Sequence, residues 1–238
     1  KRYTYSALLL GVSIATKFFP IVLLIPASLI LIKNRKLLIK YNAISLGTWI
    51  AINIPFAPTT PKGWFRFFKL NSERGIDWGS IWHALNIFGL KIPSLNYLSL
   101  ATFIFGTIAF LIYFFKLKAI PTLASTSIFI VALFVTASKV YSPQYILWLT
   151  PIAVLAITNK KELKAFWVWQ GAEMIYHLAI WQELASTSGA HFALPERLYA
   201  LAIFIRVIAL AYFLATLARG KFEKSPLVLP PQAHEFPL

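Results

Sequence analysis

Lys139-Val140-Tyr141-Ser142-Pro143-Gln144-Tyr145-Ile146-Leu147-Trp148-Leu149-Thr150-Pro151 is a short polar and aromatic segment set between two apolar runs. Its flanks read as membrane helix. A lysine, a serine, a glutamine and two tyrosines at a membrane boundary are costly unless they face protein, water or ligand. The segment therefore marks the mouth of a site, and its surroundings decide the fold.

Those surroundings are apolar throughout. The chain has 238 residues, 58% of them hydrophobic and only 13% charged. That balance excludes an ordinary soluble domain. Trp and Tyr sit mainly near the ends of the apolar runs, as interfacial anchors do. There is no cysteine, which excludes a disulfide framework and a cysteine-based metal site. The net charge of +15 suggests nucleic acid at first sight. The basic residues, however, punctuate the apolar runs and do not line one face, so attraction to anionic lipid explains them more simply.

Working outward, the sequence predicts an all-α, polytopic transmembrane bundle of about seven spans. These cover residues 5–32, 41–56, 95–115, 120–137, 143–157, 165–182 and 197–217. The first is about 28 residues, roughly 42 Å as a helix, longer than a hydrocarbon core of about 30 Å. It must tilt or break, and Lys17 and Pro20 near its centre mark the place. Residues 1–218 form the helical domain, and 219–238 form a basic, Pro-rich cytoplasmic tail that is expected to be disordered. Lys33, Arg35, Lys36 and Lys40, then Lys116 and Lys118, then Lys160, Lys161 and Lys164, then Arg219, Lys221 and Lys224 alternate through the spans. The positive-inside rule puts them in the cytoplasm. Loops 57–93, 139–145 and 183–196 then share the outer side of a plasma membrane. Lys1-Arg2 falls on the wrong side, which a preceding segment would resolve.

Four constellations carry possible chemistry. In the first outer loop, residues 61–70 interleave bases with aromatics, as a short helix lying in the membrane interface does. After it, Arg74, Asp77 and His83 suit a phosphate and a hydroxyl proton; the plainer reading is a solvated loop with Ser80 capping a helix. Lys17, at mid-membrane, either binds a lipid phosphate or snorkels. In the central stretch, Ser142 as a cap and Pro143 as first helical residue explain those two positions. They do not explain Lys139, Gln144 and Tyr145 together. Gln170, Glu173 and His177 share one helix face. They form either a proton-handling pair or a structural pair that also satisfies Arg206. No phosphate-binding glycine loop, dinucleotide fingerprint or zinc motif is present. Neither metal nor cofactor is expected.

These segments carry a family resemblance. Gly11-x-x-x-Ala15-Thr16-Lys17-Phe18-Phe19-Pro20 resembles a helix of glycosyltransferase family 87, integral-membrane enzymes of the GT-C class that include actinobacterial mannosyltransferases. Arg74-Gly75-Ile76-Asp77-Trp78-Gly79-Ser80-Ile81-Trp82 is similar to that family's outer-loop segment. Ser142-Pro143-Gln144-Tyr145, with Trp148 and Pro151, is similar to its Ser-Pro segment at the outer end of a late helix. The resemblance spans roughly residues 8–151. It implies transfer of a mannose-like hexose from a polyprenyl-phosphate sugar to a lipid or cell-envelope glycan acceptor. In that reading Lys17, Arg74 and Lys139 hold the lipid phosphate. Asp77, Ser142, Gln144, Tyr145, Glu173 and His177 are the substrate-contacting candidates. The family's base lies in a first outer loop, which would precede Lys1; the chain is expected to be a C-terminal part, and the catalytic base is not assigned. Some family members carry histidines after the Ser-Pro pair, where Gln144-Tyr145 stand here, which leaves donor and acceptor open. The alternatives are a flippase for lipid-linked sugars and a non-catalytic assembly subunit. A flippase would often show inverted repeats, and no repeat period is evident.

Overall fold

A chain this apolar must satisfy its backbone hydrogen bonds internally, and helices do so within one segment. A computed structural model describes residues 2–117, 121–191 and 193–222, and every regular element among them is helical. In order these are α1 (Arg2–Thr16), a 3-10 turn (Phe19–Leu23), α2 (Leu24–Leu31), α3 (Arg35–Asn53), α4 (Phe56–Thr59), α5 (Pro61–Glu73) and α6 (Ile81–Ile87). There follow α7 (Leu95–Phe115), α8 (Leu123–Ala137), a 3-10 turn (Pro143–Tyr145), α9 (Ile146–Ala156), α10 (Lys160–Thr187) and α11 (Glu196–Phe222). Among the described residues three helical stretches are long and apolar enough to cross a membrane: Arg35–Thr59, Leu95–Phe115 and Glu196–Gly220. Shorter apolar helices cover Phe19–Leu31, Leu123–Ala137 and Pro143–Ala156.

Local chemistry sets the breaks. The expected first span is interrupted where the sequence predicts, after Thr16, with Pro20 in the first turn of the 3-10 segment. The break lets α1 pack along α3 while α2 packs against α8. Gly11 permits the first contact, since a Cβ there would meet the Ser45 carbonyl and the Thr48 side chain. Ser45 Oγ donates to the Ala7 carbonyl across the same seam (3.0 Å). Asn34, Ser80, Thr122 and Asn159 each cap the helix that follows.

The core has three parts. The largest lies among α8, α9, α10 and α11, where Trp169 stacks on Phe213 (5.6 Å, 11°). A second joins α6 to α10 and α11 through Ala84, Tyr176, Tyr199 and Ile203. A third holds Ala7, Ala27, Leu31 and Tyr41 among α1, α2 and α3. The outside is apolar too. Of α7 only Phe114 is buried, and Phe105 is 70% exposed. Such a surface suits a lipid surround.

Several predicted boundaries need correction. α3 begins at Arg35 and α10 at Lys160, so Arg35, Lys36, Lys40, Lys160, Lys161 and Lys164, expected in the loops before these spans, lie on the helices. The expected loop 183–196 begins as helix: α10 continues to Thr187, and Glu183 is a buried residue on it. The helix stops at Gly189, whose φ of 79° closes the turn, with Gly189 N–H donating to Ser186 and Ala190 N–H to Ala185. The expected tail 219–238 also begins as helix, because α11 runs on to Phe222, with Gly220 lying against Glu162. Residues 223–238 of that tail, and Lys118 and Ile120 of the predicted loop and fourth span, lie outside the described residues.

Candidate functional site

The site forms where the segment after α5 meets the linker between α8 and α9. Glu73 ends α5, and Arg74 takes an extended conformation that turns the chain inward. Asp77 is the junction. Its N–H donates to the Lys139 carbonyl (2.9 Å). Its carboxylate accepts from Arg74 Nη2 (2.9 Å), Gly79 N–H (3.1 Å) and Ser142 Oγ (3.1 Å). Its carbonyl accepts from Ser80 Oγ (2.8 Å). One turn on, Trp82 Nε1 donates to the Ala137 carbonyl, which locks α6 onto the end of α8 (2.9 Å).

Beneath this junction lies a buried ion pair. Arg206 of α11 is fully buried, and its Nε donates to Glu173 Oε1 of α10 (2.9 Å). Its Nη1 donates to the carbonyls of Tyr141 (3.1 Å) and Gly79 (3.4 Å). The guanidinium sits between the rings of Tyr141 and Tyr176, 3.4 and 4.0 Å from their centroids. Gly79 must be glycine here, since a Cβ would strike the Tyr141 carbonyl and the Tyr176 hydroxyl. Tyr199 adds a further tie, donating to the Trp78 carbonyl (2.8 Å).

Above the junction opens a cavity of about 390 Å³, lined by Arg74, Gly75, Ile76, Asp77, Trp78, Ser142, Pro143, Ile180 and Leu184. Lys139 stands beside it. Its ammonium donates to Asn96 Oδ1 (2.5 Å) and to the Ser72 carbonyl (3.1 Å). Partial burial, and then the nearby Arg74 charge, pull its pKa below the usual lysine value. Burial likewise lowers His83, against the raising pull of Glu196 and Asp77.

An aromatic wall extends from the junction. Tyr145 lies within electrostatic reach of Arg74 and Asp77. Its ring stacks on Trp148 at 3.9 Å, and Trp148 stacks on Phe19 at 3.9 Å. Lys17 caps the stack, its Nζ 4.4 Å from the centre of the Trp148 ring.

The predicted residues thus divide. Arg74, Asp77 and Ser142 come together, with Lys139 and Tyr145 adjoining and Lys17 at the far end of the wall. Ser142 is not the helix cap that its position suggests: its hydroxyl serves Asp77 and makes no capping bond. Gln144 is exposed. Glu173 lies below the cavity, held by Arg206, Tyr141 and Trp169. His177 does not pair with its carboxylate; Nδ1 reaches the Glu173 backbone carbonyl instead (2.7 Å). The side-chain pair that forms is therefore Glu173 with Arg206, not Glu173 with His177.

Sequence reasoning missed Tyr141 and Asn96 as parts of the site. A signal existed for the first, within the central stretch; none marked Asn96. Among the described residues no three His, Cys, Asp or Glu side chains gather as a metal would require. The arrangement is suited to holding an oxyanion: a half-exposed guanidinium lines a cavity that also carries the Ser142 hydroxyl and the Trp78 ring. No protein-family model, curated protein or solved structure matches the chain.

Proposed function

We propose that this chain belongs to an integral-membrane glycosyltransferase of the GT-C class, similar to glycosyltransferase family 87. In this reading about seven spans place the cavity at the outer face of a plasma membrane. The enzyme transfers a mannose-like hexose from a polyprenyl phosphate to a lipid or cell-envelope glycan. The acceptor hydroxyl oxygen attacks the anomeric carbon, the bond from that carbon to the phosphate oxygen breaks with its electron pair, and the acceptor proton passes to a base. Arg74 and Lys139 receive the departing phosphate, and Lys17 guards the lipid side of the aromatic wall. Tyr145 and the exposed Gln144 offer a stacking face and an amide to sugar or acceptor. Asp77 positions the loop, because both its oxygens are engaged by protein donors.

One observation carries the reading. Three segments far apart in sequence, each with its own resemblance, are joined by contacts: Asp77 to Ser142, and Tyr145 through Trp148 to Phe19 and Lys17. The test is transfer of labelled mannose from polyprenyl phosphate in membranes carrying the protein or its Arg74→Gln or Lys139→Gln variants. Loss of one such charge stabiliser is expected to slow transfer roughly 100-fold. Equal transfer by parent and variants at matched protein levels would overturn the assignment.

A further inference from the structure

α5 carries an arrangement that the cavity does not use. Its inner face is fixed: Trp64 Nε1 donates to Asn53 Oδ1 (2.6 Å), and Phe68 packs edge-on against Phe18 (5.4 Å). At 100° per residue, Lys62, Arg66 and Lys69 fall together on the opposite face, with Phe65 and Leu70 on either side. This outer face bounds an open hollow of about 530 Å³, and α5 has no buried residue. Phe65 is 56% exposed and Leu70 55%. The one acid on the stripe, Glu73, answers only Lys69 (3.7 Å).

The charges of α5 also run against its dipole. No acid stands in its first turn and no base in its last, while Lys62 occupies the start and Glu73 the end. Thr60, at the cap position, makes no capping bond, and its hydroxyl donates instead to the Phe56 carbonyl (3.1 Å). A base at an uncapped N-terminus is unfavourable in isolation, and an external anion there relieves both faults. The helix follows directly on the membrane-long stretch Arg35–Thr59, which puts it at that stretch's end.

We propose that the outer face of α5 is a docking surface for the headgroups of anionic phospholipid. Lys62, Arg66 and Lys69 meet the phosphates, and Phe65 and Leu70 enter the layer beneath. The inference rests on the membrane reading of the chain but not on sugar transfer. The place of α5 directly after a membrane-long stretch favours lipid over a soluble acidic protein.

The experiment compares the protein in nanodiscs of phosphatidylcholine with nanodiscs that also contain phosphatidylglycerol, reading the thermal-unfolding midpoint. Phosphatidylglycerol is expected to raise the midpoint of the parent, and the rise should fade in high salt. Lys62→Gln/Arg66→Gln/Lys69→Gln is expected to lose most of that rise while matching the parent in phosphatidylcholine. Lys33→Gln/Arg35→Gln/Lys36→Gln, which removes as many bases elsewhere, is expected to lose distinctly less of it. An undiminished rise in the α5 variant, or equal losses in both variants, overturns the proposal. So does a parent that is blind to phosphatidylglycerol. A failed transfer assay leaves each of these results readable.

Discussion

Both carboxylate oxygens of Asp77 are occupied, one by the Gly79 N–H and the other by Arg74 and Ser142. Its side chain is 12% exposed, against 52% for that of Arg74. The two ends of this ion pair should therefore differ in value. Arg74→Gln removes a charge that water can replace, and should lower stability by less than about 1 kcal/mol. Asp77→Asn weakens three bonds at a sheltered junction and should cost about 1.5–3 kcal/mol. Chemical denaturation of both variants in detergent checks the order, and equal losses would reduce Asp77 to a surface ion-pair partner. The sequence made Arg74, Asp77 and Ser142 legible as candidates, because charged and hydroxyl groups beside apolar runs stand out. It did not show that they meet. Ser142 before Pro143 has the local form of a cap, and its actual partner lies 65 residues away. No local pattern carries that distance.

At the scale of elements, α10 and α11 hold the site from below. Arg206 joins them by its bond to Glu173 and reaches up to the carbonyls of Gly79 and Tyr141. Arg206→Met would leave the Glu173 carboxylate buried without its ion partner, a loss of about 3–5 kcal/mol. Adding Glu173→Gln removes the stranded charge and should restore a large part of that loss. Unfolding midpoints of parent, single and double variants form the check; a double variant no better than the single would show that the loss comes from the loop carbonyls. The elements themselves were unequally legible. The predicted span 95–115 coincides with α7, whose apolar faces are continuous and whose ends are polar. The break at Lys17 and Pro20 was visible because proline removes a backbone donor. The length of α10 was not visible, because Glu183 reads as loop while its burial depends on packing from other elements. Nor was the passage of α11 through Arg219 and Gly220 visible, since Gly220 reads as a stop but lies on the helix against Glu162.

For the whole molecule, α10 is the span of the proposed topology that its composition supports least. Its 28 residues are roughly 42 Å of helix, ample for a crossing. Its composition is not: Glu162, Glu173 and Glu183 all lie on it, and it is absent from the three stretches apolar enough to cross on their own. All three carboxylates are buried within the protein, and α10 packs along α11 more extensively than any other pair of elements packs. A helix whose carboxylates face its neighbours and whose Trp167, Met174, Leu178 and Trp181 face outward presents an apolar exterior to lipid beyond its basic first turn. In the proposed topology α10 therefore crosses, and Lys161 and Ser188 near its ends lie on opposite sides, as do Lys36 and Ser72 around α3. The chain has no cysteine, so single cysteines report without background. With a membrane-impermeant maleimide on intact cells, Ser72→Cys and Ser188→Cys should label directly. Lys36→Cys and Lys161→Cys should label only after permeabilisation. Labelling of Lys161→Cys and Ser188→Cys from one side would mean that α10 lies along the membrane. The buried Glu173–Arg206 pair would then sit in an interfacial layer, and the cavity above it would lose the sidedness on which transfer from a lipid phosphate depends.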